Sequence, residues 1–192
     1  MEHKQVSDEQ LVRQYVQGDE AALELLIRRH RQRVFGAIYM FVRDRYLAED
    51  LFQDTFMKAI RKLRAGAYQE EGKFLPWILR IAHNRCIDYY RKTQRTPAVV
   101  TTDGYDLFEV LNLSGPAADR ELMKTQSHQA VRELVERLPA EQREVVILRI
   151  WADLSFKEIA ELTGVSINTA LGRMRYALIN LRKLKKQLKL SL

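Results

Sequence analysis

The chain has 192 residues, 46% of them apolar, and carries a formal net charge of +7. Its 8 glycines and 4 prolines are too few for an all-β protein rich in tight turns, so we expect one large or two small helical domains. The basic charge favours a polyanionic partner, and the single cysteine excludes an internal disulfide framework.

The N-terminal sequence, MEHKQVSDEQ, is polar and lacks the apolar segment of a signal peptide. No stretch of the chain approaches the ~20 apolar residues that a membrane span requires. A lone cysteine also suits a reducing compartment. We therefore expect a soluble, cytoplasmic protein.

Four helices are predicted in the first half of the chain, the fourth running from about Phe74 to Arg95. The signals that begin helices are the Ser7 and Gln10 capping box, Asp19 and Asp44. Gly18 ends the first helix and Pro97 ends the fourth. Apolar residues recur at helical spacing and should form the core: Leu11, Tyr15, Leu23, Leu26, Ile27, Val34, Leu47, Leu51, Thr55, Phe56, Ala59, Leu63, Phe74, Trp77, Ile78 and Ile81.

Helical spacing disappears between Ala98 and Asp119. This segment has no lysine or arginine, and its acidic residues are Asp103, Asp106, Glu109 and Asp119. Such a segment is either a solvated linker or one whose negative charge has a function. The sequence therefore predicts an all-α protein with helical domains at 1–96 and 120–192, joined by a flexible acidic linker at 97–119.

Helical spacing returns near Arg120, and Pro139 is placed to open the following helix. Arg149 should interrupt the apolar residues on the side that faces water. The apolar positions of these helices are Val131, Leu134, Val135, Leu138, Val145, Val146, Leu148 and Ile150.

The last two helices have the pattern of a helix-turn-helix. Ser155 and Glu158 can form a capping box, Gly164 ends the short helix, and Ser166 caps the final one. In this motif the second helix enters the major groove and its N-terminal residues meet base edges. The alternative is an ordinary helical hairpin within a core.

The final helix carries charge of one sign only. From Val165 onward there is no acidic residue, and the basic residues are Arg173, Arg175, Arg182, Lys183, Lys185, Lys186 and Lys189. Such a helix suits phosphate contacts. A membrane-surface helix would need a broader apolar face with aromatic anchors, so DNA is favoured.

The fourth helix, FLPWILRIAHNRCIDYYRKTQR, interleaves basic and aromatic residues. This composition suits single-stranded or melted nucleic acid, because exposed bases stack on rings while cations hold the backbone. Trp77 is interpreted equally well as a core residue or as a base contact.

The third helix carries an acidic cluster. Asp50 and Asp54 are four residues apart and therefore share one face of the helix, and Gln53 lies beside them. An acidic face of this kind favours a protein–protein contact and, less strongly, a metal site. The four histidines have no ligand spacing. Phosphate loops, nucleophile elbows and zinc patterns are absent from the sequence, so it offers no catalytic constellation and implies no cofactor.

Together these segments resemble a bacterial RNA polymerase sigma factor of the extracytoplasmic-function group, over nearly the whole chain. AEDLFQDTFMKAIRKL is similar to the core-binding segment, and FLPWILRIAHNRCIDYYRK is similar to the segment that melts promoters and reads the −10 element. LPAEQREVVILRIWADLSFKEIAELTGVSINTALGRMRYAL is similar to the −35-reading domain.

The resemblance implies roles for individual residues. Those expected to dock on the clamp helices of the largest polymerase subunit are Asp50, Gln53, Asp54, Phe56 and Met57. Those expected along the −10 strand, with the loop from Tyr68 to Lys73 capturing a flipped base, are Tyr68, Lys73, Trp77, Arg80, Asn84, Asp88 and Arg91. Those expected at the −35 duplex are Ser166, Asn168, Thr169, Arg173 and Arg175.

The resemblance further implies a non-catalytic specificity subunit that binds core RNA polymerase and promoter DNA and is held inactive by an anti-sigma protein. The acidic linker would thread into the polymerase active-site channel. Two alternatives lie outside the family: a helix-turn-helix regulator with an N-terminal signalling domain, and a metal-dependent hydrolase using Glu49, Asp50 and Asp54.

The final helix departs from the family pattern of glycine, threonine, a small residue and lysine. Its residues here are Asn168, Thr169, Ala170 and Leu171, and the following Gly172 costs ~1 kcal/mol of helix propensity relative to alanine. We hypothesise that Asn168 and Arg175 shift the base preference, while Gly172 lets the backbone approach DNA closely.

Overall fold

The computed structural model describes residues 6–68, 73–95 and 130–187, and within these ranges the secondary structure is entirely helical. We number the helices α1 to α8 in chain order. They are α1 (Asp8–Val16), α2 (Glu20–Val42), α3 (Arg45–Arg64), α4 (Phe74–Arg95), α5 (130–136), α6 (Ala140–Ile150), α7 (Phe156–Thr163) and α8 (Ile167–Gln187). The predicted all-α fold is confirmed. The predicted acidic linker lies outside the described residues.

The chain divides into two compact units. Among the described residues, the first consists of 6–68 and 73–95 with Trp151–Leu154, and the second of 130–150 with 155–187. In the first unit α2 packs against α1, α3 and α4, and α3 also packs against α4. In the second unit α8 packs against α6 and α7.

The helices of the first unit begin at the predicted side chains. Ser7 and Gln10 form the capping box of α1, with both hydrogen bonds at 3.2 Å. The Asp19 carboxylate accepts from the Ala21 amide at the start of α2, and the Asp44 carboxylate accepts from the Leu47 amide at the start of α3. Each bond satisfies an amide that lacks a partner in the first helical turn and is worth about 1 kcal/mol.

The core of the first unit contains most of the predicted apolar residues and also Ile38, Met40 and Leu79, which the sequence pattern did not single out. Its largest fully buried side chains are Leu11, Leu26, Ile38, Met40, Leu63, Phe74, Ile78 and Leu79. Three predicted members, Ile27, Leu47 and Trp77, are only half-buried. The core therefore fixes one face each of α3 and α4 and leaves the opposite faces exposed.

A buried histidine connects α1 to α2 beneath the start of α4. The Nε2 atom of His30 lies 2.7 Å from an Asp8 carboxylate oxygen, and the other oxygen lies 2.5 Å from Arg29. Burial lowers the pKa of His30 below its usual value, although the neighbouring Asp8 partly opposes this shift. The imidazole ring also lies 5.5 Å from the ring of Phe74, so it supports the first turn of α4.

In the second unit, α6 is buried on more sides than a single stripe would predict. Four consecutive residues, from Val145 to Leu148, are buried. Two of the predicted apolar positions lie on the surface, because Ile150 is 59% exposed and Val131 is 39% exposed, while Ile147, which was not predicted, is buried. Arg149, expected to face water, is half-buried, and its guanidinium carbon lies 5.7 Å from the centre of the Phe156 ring.

Candidate nucleic-acid and protein interfaces

The outer face of α3 is acidic and partly apolar. The inner face is fixed in the core by Ala48, Leu51, Thr55, Phe56, Ala59 and Leu63. Side chains on the opposite side are exposed, and we call them the α3 surface: Asp50, Gln53, Asp54 and Met57. Met57 is 55% exposed, which is unusual for a large apolar side chain and is typical of a contact site.

Phe56 does not belong to this surface. It is only 5% exposed, and its ring centre lies 4.8 Å from that of Phe52. This position corrects the expectation that Phe56 would dock directly on a partner. It supports the exposed residues from within the core instead.

Two of the carboxylates on α3 form ion pairs with arginines. Glu49 pairs with Arg45 on its own helix at 3.0 Å, whereas Asp54 pairs with Arg85 of α4 at 3.5 Å. Within residues 6–68, 73–95 and 130–187, no group of three or more His, Cys, Asp or Glu side chains is placed to hold a metal ion.

Three aromatic rings meet where α4 begins, and we call them the aromatic cluster: Tyr68, Phe74 and Trp77. The ring centres of Tyr68 and Trp77 are 4.4 Å apart, and Phe74 lies 6.3 Å from Tyr68 and 5.7 Å from Trp77. Phe74 is buried, whereas Tyr68 and Trp77 are half-buried. Trp77 therefore packs against Phe74 in the core and leaves part of its ring exposed, and its contact with a base stays a prediction.

Polar side chains continue from Trp77 along one face of α4, and we call this row the α4 stripe: Trp77, Arg80, Asn84, Asp88 and Arg91. The four polar members are exposed, and their spacing of three or four residues places them on one side of the helix. The other side is anchored in the core by residues such as Ile78 and Cys86.

Two further features of α4 concern Tyr90 and Cys86. The Tyr90 hydroxyl donates to the carbonyl of Phe41 and so ties the helix to α2. Burial raises the pKa of the Cys86 thiol to about 12, so the thiolate is scarce at neutral pH.

The helix-turn-helix forms as the capping signals predict. Ser155 and Glu158 complete the capping box of α7, with the Ser155 amide donating to the Glu158 carboxylate at 2.7 Å. Gly164 ends α7 with a φ of 69°, a left-handed conformation that favours glycine. The Ser166 hydroxyl then accepts from the Thr169 amide at 3.1 Å and caps α8.

The N-terminal part of α8 presents a polar surface. Ser166, Asn168, Thr169 and Arg175 are exposed, and Arg173 is half-buried. On the opposite side the fully buried alanines at 170 and 177 bring α8 close to its neighbours, and Asn180 donates to Gln142 of α6 at 2.9 Å. The exposed residues are therefore held on a firmly docked helix.

Sequence reasoning missed Tyr176, which is 62% exposed. It follows Thr169 and Arg173 at helical spacing, and the three residues line a groove between α6 and α8 together with Gly172. The spacing from Thr169 was the signal that could have found it. No heavy atom would lie within 4 Å of a Cβ at Gly172, so internal packing does not require glycine there.

Two family models match the chain, Sigma-70 region 2 at residues 26–96 and Sigma-70, region 4 at residues 128–177. The RNA polymerase sigma factor CarQ of Myxococcus xanthus is 32% identical over 185 residues, which cover 91% of this chain and 95% of the relative. The chain belongs to the RNA polymerase sigma-factor family.

The extracytoplasmic-function group is also supported by sequence similarity. The ECF RNA polymerase sigma factor SigM of Mycobacterium tuberculosis is 29% identical over 178 residues, covering 93% of this chain and 84% of the relative. The sigma factor RpoE of Bartonella quintana, solved in complex with the anti-sigma factor NepR, shares the fold with a TM-score of 0.61 at 24% identity. That match covers 88% of this chain and 97% of the other.

Sigma factors are specificity subunits of RNA polymerase and are not enzymes. This chain is therefore a factor for promoter-specific transcription initiation. This assignment takes the place of the two alternatives, a helix-turn-helix regulator and a metal-dependent hydrolase. Region 2 contains α3 and α4, and region 4 contains α7 and the start of α8. Among the helices of the described ranges, none is long and apolar enough to cross a membrane.

Proposed function

We propose that this sigma factor binds core polymerase through the α3 surface, reads the melted −10 strand with α4 and reads the −35 duplex with α8. The observation that carries this proposal is the match between exposure and chemistry. Each of the three helices is anchored by a buried side and exposes side chains suited to one of these partners.

The α3 surface combines exposed carboxylates with one large apolar side chain. Carboxylates favour a basic partner and set the orientation of binding, while Met57 adds apolar contact area that adapts in shape. Of the five residues expected to dock on the clamp helices, four are available for contact and Phe56 is not.

The aromatic cluster and the α4 stripe suit a separated DNA strand. Half-buried Trp77 and Tyr68 offer ring surfaces on which unpaired bases stack, and Arg80 and Arg91 provide positive charge for the backbone. Tyr68 and Lys73 lie on either side of residues 69–72, which fall outside the described residues. The structure therefore describes the two ends of the proposed base-capturing loop.

The exposed start of α8 suits the major groove of duplex DNA. Asn168 and Thr169 lie in its first turn, where helix-turn-helix proteins contact base edges. Arg173 and Arg175 are placed for phosphates or guanine edges. Open space around Gly172 is compatible with close approach of the backbone, and exposed Leu171 supplies no charge for a phosphate.

Three further parts of the proposal rest on the family. Residues 1–96 and 120–192 would act as separate domains, with the acidic linker at 97–119 threading into the polymerase channel. Binding to polymerase places the protein in the cytoplasm. An anti-sigma factor is proposed as a further partner, because the fold is shared with a sigma factor solved in such a complex.

Reconstituted transcription tests the proposal. The full chain is added to core polymerase on a promoter library, and transcripts from defined start sites are expected. Combined substitution of Asp50→Asn and Met57→Ala should lower polymerase affinity, whereas Glu24→Gln on the exposed side of α2 should leave it unchanged. Failure of the wild-type chain to bind core polymerase, or to initiate on any template, would refute the proposal.

A further inference from the structure

Arg85 connects the α3 surface to α4. Its Nη2 atom lies 3.5 Å from a carboxylate oxygen of Asp54. In the sequence it directly follows Asn84 and precedes Asp88 by three residues, and both of these belong to the α4 stripe. The ion pair therefore joins the surface proposed for polymerase to the helix proposed for the −10 strand.

The contact with Asp54 satisfies little of the hydrogen-bonding capacity of the Arg85 guanidinium. A strong arginine–carboxylate hydrogen bond is about 2.8 Å long, and 3.5 Å is well beyond that value. The Asp54 side chain is 58% exposed, so solvent weakens the attraction further. The Nε–H group of Arg85 is enclosed by protein and has no acceptor among the described residues.

A backbone phosphate would be a better partner for this guanidinium. Its planar donor fork matches the oxygens of a phosphate group, which can accept two parallel hydrogen bonds. The carboxylate of Asp54, in turn, is proposed to meet a basic surface of polymerase. Engagement of Asp54 by polymerase would then withdraw the carboxylate and leave Arg85 without its present partner.

We infer that Arg85 is a phosphate contact for the −10 strand that Asp54 restrains until polymerase binds. This inference rests on the proposed function of the α3 surface and adds a residue to the strand-binding set. It predicts that the free protein binds single-stranded DNA weakly, because a carboxylate neutralises one of the cations beside the α4 stripe.

A double-mutant cycle on the free, full chain tests the restraint. The probe is a fluorescein-labelled single strand of twenty thymidines, and its affinity is measured by anisotropy. Asp54→Asn should raise the affinity about two- to fivefold, the range expected when an exposed ion pair worth up to ~1 kcal/mol is removed. In an Arg85→Gln background the same substitution should have no effect.

Glu49→Gln is the matched control. It removes the same charge from the same helix, but its ion-pair partner is Arg45 on α3 and not a residue of α4. We expect little change in single-strand affinity. An equal rise in this variant, or an undiminished effect of Asp54→Asn when Arg85 is absent, would overturn the inference.

Core-polymerase affinity, measured on the same variants, separates this inference from the proposed function. Asp54→Asn should weaken polymerase binding, and Arg85→Lys should retain it while keeping part of the single-strand affinity through its charge. If Asp54→Asn weakens polymerase binding but shows no coupling to Arg85 in single-strand binding, only the role of Arg85 is refuted. Full polymerase affinity in Asp54→Asn refutes the docking role of Asp54 and, with it, the release step.

Discussion

The two helices proposed to contact promoter DNA, α4 and α8, differ in their buried side chains and in their exposed charges. α4 begins in the aromatic cluster and rests on large buried side chains such as Ile78 and Leu79, and its exposed stripe includes the acidic Asp88. α8 rests on the buried Ala170 and Ala177 and has no acidic residue from Ile167 to Gln187. Rings suit separated bases, whereas a polar helix start followed by cations suits a duplex. If each helix binds its proposed partner, strand and duplex recognition use different helix compositions within one chain.

The largest effect that would sharpen this contrast is expected from Trp77→Ala. Loss of a stacking ring should lower affinity for a pre-melted −10 template roughly 5- to 150-fold, which corresponds to about 1–3 kcal/mol per base. Binding of a −35 duplex fragment should not change. Both are measured with reconstituted holoenzyme.

Trp77→Phe, which keeps a stacking surface, should recover much of this loss. Thermal unfolding is recorded for both variants, because Trp77 is half-buried and its truncation also removes core contacts. Equal losses on the melted template and the −35 duplex would show that α4 does not discriminate between them.

The next effect concerns base selection by α8. Asn168→Gly should change the preferred −35 sequence, with a shift on the order of tenfold at one base pair, because a side-chain contact to a base edge is lost. Selection from a randomised −35 library measures the change. An unchanged consensus would remove Asn168 from the reading set.

A smaller effect is expected from Leu171→Lys. This exposed side chain occupies the position of the lysine in the family pattern, so a new cation in contact with a phosphate should raise duplex affinity severalfold and steepen its salt dependence by about 0.9 in the log–log slope. Leu178→Lys, at a similarly exposed site further along α8, is the control. The same slope change in both variants would indicate charge acting at a distance and not a specific contact.

The smallest effect concerns pH and should be confined to the first unit. Since burial lowers the pKa of His30, the unfolded chain binds a proton at a higher pH than the folded one. The stability contributed by neutral His30 is therefore complete above about pH 6.5 and is lost as the pH falls below that value towards the folded pKa.

Hydrogen exchange of amides between pH 7 and pH 5 measures this loss. Protection in α1 and α2 should fall on acidification, whereas α6 to α8, which contain no histidine, should change less. His30→Gln should flatten the dependence in the first unit. A dependence that survives this substitution would point to another group.

Most of the fold could be predicted from the sequence because the deciding signals are local. The capping boxes at Ser7 and Ser155 and the helix end at Gly164 depend on residues a few positions apart, so the sequence alone predicts them. The order and types of helices follow directly from such signals.

The predictions that were wrong concern the burial of single residues, which depends on packing between helices. Phe56 and Met57 are neighbours on α3, and only the positions of adjoining helices decide that one is buried and the other exposed. Ile150 has the apolar character of a core residue but lies at the last turn of α6, beyond its packing partners. The pairing of Arg85 with Asp54 could not be predicted from the sequence, because it joins residues 31 positions apart.

The chemistry of Cys86 has a practical consequence. It is the chain's one cysteine, it is fully buried, and its thiol stays protonated at neutral pH. The thiolate is the form of cysteine that attacks a maleimide, so maleimide dyes should leave the folded wild-type chain unlabelled. A cysteine introduced on each unit would then accept a fluorophore without removal of the native one, and energy transfer between the two dyes would report their separation as polymerase is added.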